Sequence, residues 1–334
     1  MSDSTNQEIT GGSFTGPIFI VGMPRSGTKL LRSLLNNHSA IGITVNESGY
    51  LPYFYHNFAN YEPIQVRENF SRFFHDFSET TFFQRLTEDN PFIDEERWYA
   101  EIKTWSYAGV IEAFYKYYAQ SENKKIWGDK TPSYMLEMPL LKSLFPTAKF
   151  IHIIRDVRDY SLSINKAWNK NILRASQRWN DAINRSRKDA QSLPQSDYME
   201  VRFEELVSSP QVVLPKICDY LGIAIEQNLA HLDKPSENLG DAKGSSEIVK
   251  DNYGKWKGKM KAAQITKIER ICHPLLSQLG YPTADYEDSL RLGKTEMRWY
   301  QILDGLNFLL FEIKTNKYQG VVNFFKSRKI ERKV

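Results

Sequence analysis

The sequence predicts an α/β fold, a parallel β-sheet flanked by helices. Two short, continuous apolar runs carry that reading: PIFIVGM (17–23) and AKFIHIIRD (148–156) have the length and composition of strands buried on both faces. Each passes into a segment whose apolar residues fall at helical spacing. Strands that alternate with helices assemble as parallel sheets.

Taken in order, residues 1–16 are polar and rich in Ser, Thr and Gly, and read as a flexible leader. The apolar run 17–23 is the first strand. It ends in PRSG and enters KLLRSLLNN, where Leu30, Leu31, Leu34 and Leu35 mark one face of a helix. Residues 50–122 are aromatic-rich and mostly helical in pattern, an insertion that either covers a substrate cleft or packs as plain helices. KKIWGDKTP (124–132) reads as a short strand entering a loop, followed by a helix from Tyr134 to Leu144 and the strand of 148–156. Helices are expected from about Arg158 to Ala190, a strand over YMEVRFEEL (198–206), and a helix from Pro210 to Leu221 with Gly222 as its cap. A polar loop spans 232–260. ITKIERICHPLLSQLGY (265–281) reads as one amphipathic helix closed by Gly280. The organisation is thus a leader (1–16), a main domain (17–290) with its insertion, and a C-terminal helical extension (291–334) with a basic end. In that extension Trp299, Ile302, Leu303, Leu306, Leu309, Leu310 and Ile313 form an apolar stripe open to three uses: packing on the domain, a dimer contact or a membrane-surface contact.

Composition narrows the function classes. Hydrophobic residues make up 41% and charged residues 25% of 334, so a buried core is expected and wholesale disorder is not. A formal charge of +4 argues against a nucleic-acid partner and is compatible with a local basic pocket for a small anion. Cys218 and Cys272 lie in apolar helical stretches and read as reduced core residues. The start of the chain lacks the pattern of a signal peptide, and no apolar run reaches membrane-spanning length, so a cytoplasmic location is expected.

Two segments carry chemistry. PRSGTK follows a buried strand and opens a helix, where backbone N–H groups and the helix dipole converge on an anion. Gly27 permits close approach, Ser26 and Thr28 offer hydroxyls, and Arg25 and Lys29 offer charge. The fold is therefore P-loop-like. The ATP-binding pattern G-x-x-x-x-G-K-[ST] is not met, because Thr28 and Lys29 stand in the opposite order. The second segment, FIHIIRDVRDYSLS, ends its strand in Arg155, with Ser163 eight residues on in the next helix. An arginine and a hydroxyl so placed suit a second phosphate, remote from the first; the alternative is a structural ion pair of Arg155 with Asp129 or Asp159. A nucleotide with a phosphate on its ribose needs two such sites, and ATP does not.

At this point the chain resembles the sulfotransferases that use 3′-phosphoadenosine 5′-phosphosulfate (PAPS), in the branch of the tyrosylprotein and bacterial enzymes, over roughly 17–281. The resemblance rests on IFIVGMPRSGTKLLRSLLNNH, the Arg155…Ser163 pair, WGDKTPSY, VRFEELVSSP and NYGKWKGKM. It implies that Arg25, Ser26, Gly27, Thr28 and Lys29 hold the 5′-phosphosulfate and that Arg155 and Ser163 hold the 3′-phosphate. It also implies that Phe203 borders the base, that Lys255 and Trp256 belong to a lid, and that Lys130 and Arg25 offset charge on the leaving group. Lys29 stands where a hydroxyl residue is common, Phe203 where a tyrosine is usual, and Val157 where a proline is frequent. No histidine matches the base of the small-molecule enzymes. Glu47 matches, within one residue, a glutamate able to take the acceptor proton; its other reading is a cap on a helix beginning near Ser48 or a pair with an arginine. No metal is expected. The acceptor class, carbohydrate, phenol, lipid or peptide, is open. The rival readings are an ATP/Mg-dependent small-molecule kinase and a nucleotide-binding adaptor without turnover.

Overall fold

A computed structural model describes residues 14–88, 92–232, 234–235 and 242–310. The leader up to residue 13 and the basic end beyond 310 lie outside the described residues. The chain forms a five-stranded, wholly parallel sheet in the order β2-β3-β1-β4-β5, from β1 (Ile18–Gly22), β2 (Ile41–Ile43), β3 (Ile126–Lys130), β4 (Lys149–Ile154) and β5 (Tyr198–Arg202). The central strand β1 is buried throughout and sends alternate side chains to opposite faces. Phe19 and Val21 join one apolar cluster with the insertion and the later helices. Ile18 and Ile20 join a second cluster on the other face with Leu31, Leu34, Ile153 and Leu214.

Most expected elements are present, with three differences. The strand β2 was not anticipated: it has three residues, IGI, too few to show periodicity, and it pairs with β3 alone at the sheet edge. The strand expected over 198–206 stops at Arg202, and Phe203 begins a helix. The helix expected over 265–281 is two helices, Ala262–Ile271 and Leu275–Gln278, separated at Pro274, whose ring nitrogen has no N–H to continue the ladder. Around the sheet, α1 (Thr28–Asn36) follows β1, and five helices form the insertion between β2 and β3: α2 (Leu51–Asn57), α3 (Arg67–Ser78), α4 (Thr81–Thr87), α5 (Glu95–Glu101) and α6 (Tyr107–Ser121). Later come α7 (Met138–Leu144), α8 (Val157–Trp168), α9 (Ile172–Ala190), α10 (Phe203–Ser208) and α11 (Pro210–Leu221), the last ended by Gly222 at φ 70°.

The insertion has a core of its own, made of rings. Phe77 is wholly buried, its centroid 5.1 Å from Trp98, 5.2 Å from Phe54 and 5.5 Å from Phe114, mostly in edge or tilted contacts that suit ring quadrupoles. Trp98 satisfies its indole N–H on the Val110 carbonyl at 2.8 Å. The insertion is fixed to the sheet by Tyr115, which stacks on Trp127 of β3 at 5.2 Å and donates to Asp129 at 2.8 Å. Its aromatic richness is therefore largely helical packing.

Candidate active site

The site lies at the C-terminal edge of the three adjacent strands β3, β1 and β4, where chain connections leave a parallel sheet and ligands bind in such folds. Beyond β1, the loop turns on two left-handed residues, Arg25 at φ 72° and Gly27 at φ 94°. Gly27 sits at the N-cap of α1, and no side chain caps the helix. A Cβ at Gly27 would come within 2.4 Å of the Phe203 ring, so glycine is required there by packing as well as by its dihedral. Ser26 is completely buried, and among the described residues its Oγ has no hydrogen-bond partner. A hydroxyl left so beside a helix N-terminus is costly without a ligand, so these residues fit an anion. Thr28 is buried and Lys29 half-buried in the first turn of α1.

Arg155 follows β4, almost buried. Its guanidinium donates to the Arg25 carbonyl at 3.1 Å and to the Asn252 carbonyl at 2.9 Å, and it stacks 4.3 Å from the Phe203 ring centroid. Arg25 extends over the end of β4 to α8, where its Nε donates to Ser163 Oγ at 3.3 Å. Arg25, Gly27, Arg155, Ser163 and Phe203 thus line one cleft, whose far wall is the segment 242–259. Asp159 of α8 pins that wall by accepting from the backbone N–H groups of Gly254 and Trp256. Burial pushes the Asp159 carboxyl up, and Arg155 and the two amide donors oppose that. Lys255 lines the cleft and donates to Asn252 Oδ1 at 2.8 Å.

Lys130 and Glu47 form a separate pair beside β1. Lys130, the last residue of β3, is completely buried, and its Nζ donates to Glu47 Oε1 at 2.5 Å. Burial lowers the Lys130 pKa, and the Glu47 carboxylate opposes the shift. The loop bearing Glu47 is fixed by its next residue: Thr131 Oγ1 accepts from Ser48 N at 3.1 Å, and Ser48 Oγ meets Tyr134 OH at 2.6 Å. The Glu47 side chain keeps 45% of its surface exposed, so a second molecule can reach it.

Of the expected residues, Arg25, Gly27, Arg155, Ser163, Phe203 and Lys255 line the cleft, Ser26, Thr28 and Lys29 belong to the adjoining loop and helix start but not to its lining, and the three expected to act in catalysis are divided. Arg25 lies with Ser163, while Glu47 and Lys130 stand outside that cleft. Trp256 does not line it either: its ring covers the Arg158 guanidinium at 3.9 Å, and Arg158 is held by Asp156 and Glu269. Trp256 thus seats the 242–259 segment on a buried charge network. Asp159, Asn252, Lys166 and Lys259 belong to the cleft or its wall and were missed. Asn252 and Lys259 stand in the NYGKWKGKM stretch and Asp159 one turn before Ser163, so these three had a sequence cue and Lys166 had none. His38 bonds the Ala224 carbonyl and the Ala40 amide, and His152 is a core group whose imidazole meets Tyr198 OH at 2.7 Å.

The model of the sulfotransferase family matches residues 17–227. Protein-tyrosine sulfotransferase A of Caenorhabditis elegans is 24% identical over 87% of this chain and 77% of its own length. Protein-tyrosine sulfotransferase 2 of Gallus gallus is 22% identical over 84% and 73%. Among solved structures, the sulfotransferase domain of the Synechococcus PCC 7002 olefin synthase superposes with a TM-score of 0.55 at 22% identity, covering 84% of this chain and all of its own. The sulfotransferase domain of the curacin biosynthetic pathway superposes with 0.53 at 22% identity, covering 81% of this chain and all of that domain. The family match spans well over half of the chain, and the fold is that of its solved relatives: the chain belongs to the sulfotransferase family and is a sulfotransferase.

Proposed function

We propose that the enzyme transfers a sulfuryl group from PAPS to a hydroxyl or amine of an acceptor. One observation carries this reading: Arg25, Arg155 and Ser163 line a single cleft that begins at an uncapped helix N-terminus and is walled by residues 242–259. Two anion-holding ends on one cleft suit an adenosine carrying phosphate on its ribose and at its 5′ end. When bound, PAPS supplies a sulfuryl group on an anionic leaving phosphate. The amides of the β1–α1 loop, with Ser26, Thr28 and Lys29, hold the 5′ group; Arg155 and Ser163 hold the 3′-phosphate; Arg25, placed between them, neutralises charge within the cleft. Phe203, itself buried, borders the cleft on the base side and keeps Arg155 flat by stacking.

Lys130 supplies fixed positive charge where negative charge grows on the leaving side, a task that suits a buried ammonium which needs no reorganisation. Glu47 takes the proton of the attacking group. Its hydrogen bond to Lys130 orients the carboxylate, and its exposed edge admits the acceptor. Tyr50, three residues beyond Glu47, lines a groove with Tyr53, Tyr61, Asp76, Glu79 and Thr81, and we assign the acceptor to that side. The names of the relatives point to peptide tyrosines and carbohydrates as acceptor classes to try first. The enzyme, incubated with radiolabelled PAPS and a tyrosine-peptide and carbohydrate panel, should label an acceptor, and 3′-phosphoadenosine 5′-phosphate should raise its melting temperature. Stabilisation by ATP–Mg²⁺ alone, with no sulfate transfer, would favour the kinase reading instead.

A further inference from the structure

The helix over 294–310 is amphipathic in an unusual sense, because both of its long faces are used. Its inner face is docked. Asp304 is almost buried and accepts from Arg174 Nη1 and from the Asn171 backbone N–H, both at 2.7 Å. Asn307 donates to the Asn169 carbonyl at 3.1 Å, and Met297 and Tyr300 pack on the core. At 100° per residue those four positions share one side of the helix. Trp299, Ile302, Leu306 and Leu310 share the other, and they are 59%, 50%, 52% and 64% exposed. Exposed large hydrophobic side chains elsewhere among the described residues are scattered; here four fall on one line of one helix, about 25 Å long at 1.5 Å per residue.

The charge of the chain points to what covers this line. Residues 311–334 hold seven Lys and Arg against two Glu, a net +5. The whole chain carries +4, so residues 1–310 carry −1, and the entire basic excess follows directly on the exposed stripe. In that basic stretch stand Phe324 and Phe325, beside Lys326, Arg328 and Lys329. An apolar line with a tryptophan, continued by aromatic and basic residues, matches a bilayer whose headgroups are anionic. A second copy of the chain is the poorer occupant: it would bring another +5 to the same contact, and four half-exposed side chains fall short of the about 800 Å² per partner that a standard interface buries.

We propose that this face docks the enzyme peripherally on an anionic lipid surface, by shallow insertion of Trp299, Ile302, Leu306 and Leu310 together with electrostatic attraction of the basic end. The docked inner face holds the catalytic domain to that surface through Asp304. No group of the nucleotide cleft takes part, so docking is separable from turnover on a soluble acceptor.

The test is co-sedimentation of the full chain with phosphatidylcholine vesicles and with vesicles carrying about 30 mol% phosphatidylglycerol, at low salt and at about 0.5 M salt. Binding is expected only to the anionic vesicles and is expected to weaken strongly in high salt. Ile302→Asp with Leu306→Asp should lower it about tenfold or more, and Lys326→Gln, Arg328→Gln and Lys329→Gln together by a similar factor. Each variant should keep the wild-type melting temperature, because the changed side chains are exposed or lie outside the described residues. Equal binding to neutral and anionic vesicles, no binding to either, or variants that bind like wild type would each overturn the proposal. So would light scattering that shows a dimer lost on Leu306→Asp.

Discussion

The two sides of the sheet's C-terminal edge are built in opposite ways. On the side of β1, β4 and α8, the cleft is built from short loops and helix beginnings. Backbone amides, Arg155 and Ser163 converge because the strands that precede them are locked in register, Gly22 opposite Ile153. On the side of β2 and β3, five helices are inserted, and their aromatic side chains are consumed by a core of their own. Beside that core stand the Lys130–Glu47 ion pair, held in place by Ser48, Thr131 and Tyr134, and the groove lined by Tyr50 and Tyr53. The lesson is that aromatic richness marked packing, whereas the cleft side was marked by a few residues whose backbone positions are special.

This contrast can be broken at either side. The largest effect is expected for Lys130→Ala, which should lower kcat by roughly 10²–10³-fold while leaving the affinity for 3′-phosphoadenosine 5′-phosphate nearly unchanged in calorimetry. A large loss of nucleotide affinity instead would move Lys130 to the nucleotide side. Next, Phe77→Ala should destabilise the fold by about 3–5 kcal/mol in denaturant titration, because it empties the centre of the ring cluster; Tyr55→Ala, at a partly exposed position of the same insertion, should cost under about 1 kcal/mol. Similar losses in both would mean that the insertion lacks a core of its own. On the nucleotide side, Arg155→Ala should weaken binding of the 3′-phosphorylated nucleotide by about 100-fold and Ser163→Ala by about tenfold, with little effect on the analogue lacking that phosphate. Equal effects on both ligands would remove the 3′ assignment.

A further effect, spread over several pH units, concerns the sheet that both sides share. Burial, helped by Arg187, holds the His152 pKa down at about 3, against about 6.5 in an unfolded chain. Between those values the unfolded chain binds one more proton than the folded one. Stability therefore rises with pH across this window and falls as the solution is acidified below about pH 6.5, by up to about 1.4 kcal/mol per unit from this group. His152→Gln should flatten that part of the stability curve; an unchanged slope would show that His152 is not the group responsible.

Legibility followed the same division. The strand–PRSG–helix unit and the Arg155…Ser163 spacing are local patterns, and the α/β class follows from apolar runs that only a sheet buried on both faces tolerates. The β2 strand escaped because three residues at an edge carry no period. The place of Trp256 escaped because its partner Arg158 is 98 residues distant in sequence, and a tryptophan in a basic loop does not announce which cation it will cover.

By itself, the sequence determined the layer architecture and the strand–PRSG–helix unit, since each depends on short-range periodicity or on residue types at fixed offsets. Only the tertiary structure decided that Arg25 reaches Ser163, that Asp159 ties down the far wall of the cleft, and that Glu47 meets Lys130 across 83 residues of chain. Those outcomes depend on how strands and helices distant in sequence come to rest against each other, and packing of the whole chain is what sets those distances.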